Sequence, residues 1–152
     1  RVQAVKEVID EIGGKVIIFV PLTGTLHMLN KELSKHYTVG VVNGAVSARK
    51  RNIIFQEFQE RTDPRVIIAH PATMAHGLTL TAASSIIWYG PITSNEQYVQ
   101  ANGRVERIGK KFTSNVVHIE ATALERKMYK RLETKQKLQG LLLDMIQDEQ
   151  EN

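Results

Sequence analysis

The stretch "QANGRVERIGKK" at 100–111 sets Gln100, Gly103, Arg104 and Arg107 within two turns' length of one another. In a helix, side chains three and four apart share a face, so Gln100, Arg104 and Arg107 would project the same way. Two planar, permanently charged guanidinium groups held together suit an anion. The bland alternative is a solvated helix face whose arginines pair with Glu106 or other acids, and surface pairs of that kind are worth little. Gly103 costs a helix roughly 1 kcal/mol relative to alanine. It marks either the close approach of another surface or tight packing inside the domain.

The elements that must position these residues follow from periodicity. Val2, Val5, Ile9 and Ile12 recur every three or four positions before Gly13-Gly14, which reads as a helix and its stop. "KVIIFV" at 15–20 is a short apolar run between Gly14 and Pro21, the pattern of a strand buried on both faces. Leu26, Leu29 and Leu33 mark a helix, "YTVGVV" at 37–42 a strand, and Ile54, Phe55 and Phe58 a helix from about Ser47. "RVIIAH" at 65–70, "SSIIWYG" at 84–90 and "NVVHIE" at 115–120 are further strands. Ser94 with Gln97 would cap the helix containing Arg104, and Thr122 with Glu125 a long final helix through Leu132, Leu138, Leu142 and Met145. The tail "QDEQEN" at 147–152 is expected to fray. Strands alternating with helices predict an α/β fold: an open, mainly parallel sheet with helices on both faces, plus a long C-terminal helix. Ligands of such sheets gather at the carboxyl ends of the strands.

With 152 residues the chain has the length of one domain, 1–152. Its 42% hydrophobic and 24% charged content is that of a globular protein rather than a disordered or fibrous one. A net charge of +4 leans weakly toward an anionic partner. Without cysteine there are no disulfides or thiolate metal sites, which fits a reducing compartment. The apolar runs are too short to span a bilayer, so no membrane partner is expected. The chain contains neither G-x-G-x-x-G nor G-x-x-x-x-G-K-[ST], so it has no phosphate cradle of its own. H-E-x-x-H and G-x-S-x-G are missing too, which argues against hydrolysis completed within this chain and against a metal site.

"QANGRVERIG" resembles motif VI of superfamily 2 helicases, Q-x-x-G-R-x-x-R, and its "RIG" ending resembles the Swi/Snf-type ATPases. "ATMAHGLTLTAASSIIWYGP" at 72–91 resembles the motif V region of that group. "VVNGAVSARKRNIIFQEFQ" at 41–59 is similar to its L-D-G-x-x-x-x-x-x-R segment, with Gly44 and Arg51 at matching places, and "KVIIFVPLTGTLHML" at 15–29 to motif IV. "HIEATALERKMYKRLETKQKL" at 118–138 is similar to the group's closing strand and helix. The likeness covers nearly the whole chain in order and spacing. Two departures stand out: Met74 and Ala75 replace a usual glycine pair, and Thr79 a usual asparagine.

The resemblance implies the second RecA-like lobe of a longer, two-lobed, nucleic-acid-dependent ATPase, which agrees with a chain opening on Arg1. ATP and Mg²⁺ would lie between the lobes, held mainly by the N-terminal RecA-like lobe. By position Arg107 would be the arginine finger on the γ-phosphate and Arg104 its partner, while Gly77, Gln100 and Gly103 would line the nucleotide. Nucleic acid, DNA or alternatively RNA, would be held through its phosphates by Thr23, Arg51, Thr73 and Thr79. Such a protein would work in the cytoplasm or nucleus. Rival readings are an RNA helicase lobe and a non-enzymatic binding module of the same fold; the missing glycine fingerprint disfavours a dinucleotide-dependent oxidoreductase. His70 and His76 are assigned no chemistry, and the basic stretch at 126–137 could be a solvated face, a seat for the first lobe or a DNA-facing patch.

Overall fold

The computed structural model of the protein describes residues 1–75, 79–105 and 115–151. In chain order the elements are α1 (Val2–Ile12), β1 (Lys15–Phe19), α2 (Thr23–Leu33), β2 (Val39–Val42), α3 (Ala48–Glu60) and β3 (Val66–Ala69). A 3-10 turn (Pro71–Ala75), β4 (Ala83–Trp88), α4 (Asn95–Gly103), β5 (Asn115–His118) and α5 (Ala123–Glu151) complete it. The strands form one sheet in the order β2-β3-β1-β4-β5, and every described pairing is parallel.

Alternation along the central strand divides the interior into two cores. Ile17 and Phe19 turn toward Phe55, Phe58, Trp88 and Tyr98, under α3 and α4. Val16, Ile18 and Val20 turn toward Val5, Ile9, Leu26, Leu29 and Leu33, under α1 and α2. Strands covered on both faces must be apolar throughout, which is why β1 and β3 read as unbroken aliphatic runs. Trp88 joins the layers around it: its ring lies 4.8 Å from Phe19 and 4.9 Å from Tyr98, and its indole N–H donates to the buried Asn102 side chain at 2.9 Å.

The predicted caps at Gly13, Ser47, Ser94 and Thr122 hold. Gly13 ends α1 at φ 70, a conformation that favours glycine. Ser47, Ser94 and Thr122 each accept a bond from the backbone three residues on, at 3.1–3.2 Å. Gly40 on β2 is required by packing, since a Cβ there would stand 2.8 Å from Cγ2 of Ile54 on α3.

Two expectations are corrected. The helix expected to contain Arg104 ends at Gly103, and Arg104 is its C-terminal cap. The tail expected to fray instead prolongs α5 through Glu151, because glutamine, aspartate and glutamate can continue the hydrogen-bond ladder without a breaker. Only the first turns of α5 reach the core, through Tyr129 and Leu132; Leu138, Leu142 and Met145 remain 58–63% exposed.

Candidate functional site

Strands β3 and β4 are parallel with β1 between them, so the chain leaving β3 must travel back along the sheet before entering β4. The other crossings between described strands do this with α2, α3 and α4. Among its described residues the β3–β4 crossing has a five-residue 3-10 turn and no α-helix, and several of its backbone groups find partners on α3 and at the end of α4. Gln59 on α3 accepts from the Ala82 N–H at 2.7 Å and donates to the Thr81 hydroxyl at 3.1 Å.

Arg104 supplies the rest. Its Nε donates to the Met74 carbonyl at 2.9 Å and its Nη2 to the Ala75 carbonyl at 3.2 Å. Those carbonyls end the 3-10 turn, where helical partners run out and a cation is favoured. The carbonyl of Arg104 accepts the Leu80 N–H at 2.8 Å. The Arg104 N–H itself closes α4 on Gln100 and Ala101.

The remaining residues of the same segment are less engaged. Gln100 is exposed on α4. Among the described residues a Cβ at Gly103 would meet nothing within 4 Å, so none of them packs tightly against that glycine. Arg107 and Gly77, like His76, lie outside the described residues.

The nucleic-acid candidates divide by availability. Thr23 is the exposed first residue of α2, whose cap position is held by Leu22 with no side-chain acceptor for the first-turn N–H groups. Helix N-termini left in that state favour anions. Arg51 lies in the first turn of α3, and its Nε is buried with no hydrogen-bond partner. Thr73 is buried, and its hydroxyl donates to the His70 carbonyl at 2.6 Å. Thr79 is half-buried at the far end of the same crossing. The His70 ring serves the turn as well, since its Nδ1 accepts from the Ala72 N–H at 3.1 Å. Among the described residues, no group of three His, Cys, Asp or Glu could hold a metal ion, and no helix is long and apolar enough to cross a membrane.

Sequence reasoning missed Gln59, and it missed a polar cluster around His118. The imidazole stacks on Tyr129 at 4.1 Å, meets the Tyr98 hydroxyl at 2.8 Å through Nε2 and lies 3.1 Å from Glu133 through Nδ1. Burial pushes its pKa below the ordinary histidine value, outweighing Glu133 and Glu120, which raise it. This cluster ties α4, β5 and α5 together. In the sequence it shows only as an isolated histidine in an apolar strand.

A family model described as the helicase conserved C-terminal domain matches residues 1–109. The human lymphoid-specific helicase is 31% identical over 137 residues, which is 86% of this chain and 16% of that protein. The helicase SWR1 of Eremothecium gossypii is 25% identical over 139 residues, 89% of this chain and 9% of that protein. The chain thus spans less than a fifth of the length of either relative. In fold it is similar to the C-terminal part of the Fun30 ATPase domain, with a TM-score of 0.76 at 24% identity over 84% of this chain and 43% of that one.

Proposed function

The chain belongs to the helicase conserved C-terminal domain family, with relatives of the Swi/Snf type, and from that membership we propose that it is the second motor lobe of an ATP-dependent DNA helicase or translocase. The observation that carries the reading further is the pair of anion-ready groups on α2 and α3: the N-terminus of α2 at Thr23, left without a side-chain cap, and the buried, unpartnered Nε of Arg51. Both lie in segments that the motif resemblance assigns to the nucleic-acid side, and both can hold a phosphate without reading a base. Thr79 would add a contact from the β3–β4 crossing, whereas Thr73, buried with its N–H and its hydroxyl both donated to the His70 carbonyl, shapes the turn instead.

The N-terminal RecA-like lobe of the same protein would supply the phosphate loop and most of the Mg²⁺ and ATP contacts. Closure of the two lobes would bring Arg107 onto the γ-phosphate, with Arg104 beside it and Gly77, Gln100 and Gly103 along the nucleotide. Phosphoryl transfer needs chiefly position and charge neutralisation, which a guanidinium offers without any change of its own protonation. The open space over Gly103 suits a surface arriving from outside. Reopening after hydrolysis would move the lobes along the strand. The protein would act wherever its nucleic acid is, in cytoplasm or nucleus.

The test is ATP turnover by the complete protein and by the isolated 152-residue chain, each with and without duplex DNA. The complete protein should be stimulated by duplex DNA and the isolated chain should show no turnover. Hydrolysis by the pure chain would overturn the division between lobes, and stimulation by RNA instead of duplex DNA would convert the reading to an RNA helicase.

A further inference from the structure

We propose that Arg104 is a positioning residue that sets the shape of the β3–β4 crossing, and through it ties the nucleotide-side segment to the nucleic-acid-side segment. The proposal deepens the motor reading above and rests on it for the identity of the two sides. Its geometry stands by itself. Arg104 holds the start of the crossing with its side chain, at the carbonyls of Met74 and Ala75, and the end of the crossing with its backbone, at the N–H of Leu80. One residue therefore binds the connection on both sides of its middle, at Met74 and Ala75 and again at Leu80, while Gln59 holds Thr81 and Ala82 beyond. Thr73 lies just before the first anchor and Thr79 just before the second.

The chemistry suits arginine specifically. A guanidinium carries its donors in a rigid planar fork, so Nε and Nη2 can meet two successive carbonyls at once, whereas a lysine ammonium is a point donor on a flexible stem. Two of the five N–H groups are committed to this clamp. Because Arg104 is also the cap of α4, any displacement at that helix end is passed to the 3-10 turn and to the entry of β4. The departure at Met74 and Ala75 from a glycine pair fits this arrangement: only their carbonyls are used, so side chains are tolerated, and the Met74 side chain fills the core under α4. On this proposal Arg104 shapes the site, and the charge on the phosphate is left chiefly to Arg107.

Two measurements on Arg104→Lys, Arg104→Gln and Arg107→Gln test this. In the 152-residue chain, amide hydrogen exchange at Thr73 and Leu80 should speed up at least tenfold in both Arg104 variants, with Ile17 and Ile18 in β1 unchanged and with Arg107→Gln like the native chain. Native exchange at Thr73 and Leu80 in the Arg104 variants would overturn the clamp. If Arg104→Gln fails to fold, Arg104→Lys decides, because it keeps the charge and loses only the fork. In the complete protein, Arg104→Lys should raise the duplex DNA concentration for half-maximal ATP turnover at least tenfold, more than it lowers turnover at saturating DNA. A loss of turnover with unchanged half-saturation would overturn the positioning role and make Arg104 a phosphate ligand. If the native complete protein shows no stimulation by DNA, the motor reading falls, while the exchange measurement still decides the clamp.

Discussion

The crossing from β1 to β2 carries its own helix, whereas the crossing from β3 to β4 is held by side chains lent from α3 and α4. Beyond its uncapped first turn, helix α2 satisfies its backbone internally, and it buries Leu26, Leu29 and Leu33, so its position is set by its own sequence. The β3–β4 crossing depends on Gln59 and Arg104, which stand 22 to 30 positions away from the groups they bind. A helical crossing can move only as a body with its core. A stitched one changes shape whenever the residues that hold it move, a useful property if, as proposed, the segment lies between a nucleotide and a nucleic acid.

The contrast can be broken by substitution. The largest effect belongs to the helical crossing: Leu29→Ala should destabilise the whole domain by about 2–5 kcal/mol, read by denaturant unfolding, because it empties a fully buried site. Gln59→Ala should cost less, about 1–3 kcal/mol for the partly buried N–H of Ala82 left unpaired. Its signature is local: exchange at Ala82 should rise well before exchange in β1. Equal acceleration everywhere would show that the stitched crossing is not an independent unit.

The smallest effect separates both crossings from α5. Burial depresses the His118 pKa in the folded protein, so the unfolded chain binds the proton more readily. The contribution is fully present above the unfolded value of about 6.5 and is lost as pH falls from there toward the folded value. Thermal unfolding of the native chain should therefore occur at lower temperature at pH 5.5 than at pH 7.5, and His118→Gln should reduce that difference. An unchanged pH dependence in the variant would assign it to other groups.

Much of the architecture was legible because it rests on local rules. The aliphatic runs of β1 and β3, the glycine stop of α1 and the caps at Ser47 and Ser94 are all short-range signals, and each is found where the pattern put it. Periodicity does not reveal what a face packs against, which is why Leu138, Leu142 and Met145 read as an apolar stripe and yet stand exposed on α5. The clamp was illegible for another reason. Arg104 binds backbone carbonyls, which every residue possesses, so no side-chain pattern at Met74 or Ala75 announces it. The spacing of Gln100, Arg104 and Arg107 suggested one shared task, and the end of α4 at Gly103 gives Arg104 a task of its own.

The central claim, that this lobe brings an arginine to the γ-phosphate of a nucleotide held by its neighbour, is tested most directly by ATP turnover of the complete protein with and without duplex DNA, native against Arg107→Ala. The account predicts DNA-stimulated turnover that falls by on the order of 10³ or more in the variant while ATP binding persists. Undiminished turnover in Arg107→Ala would contradict it and return Arg107 to a solvated surface.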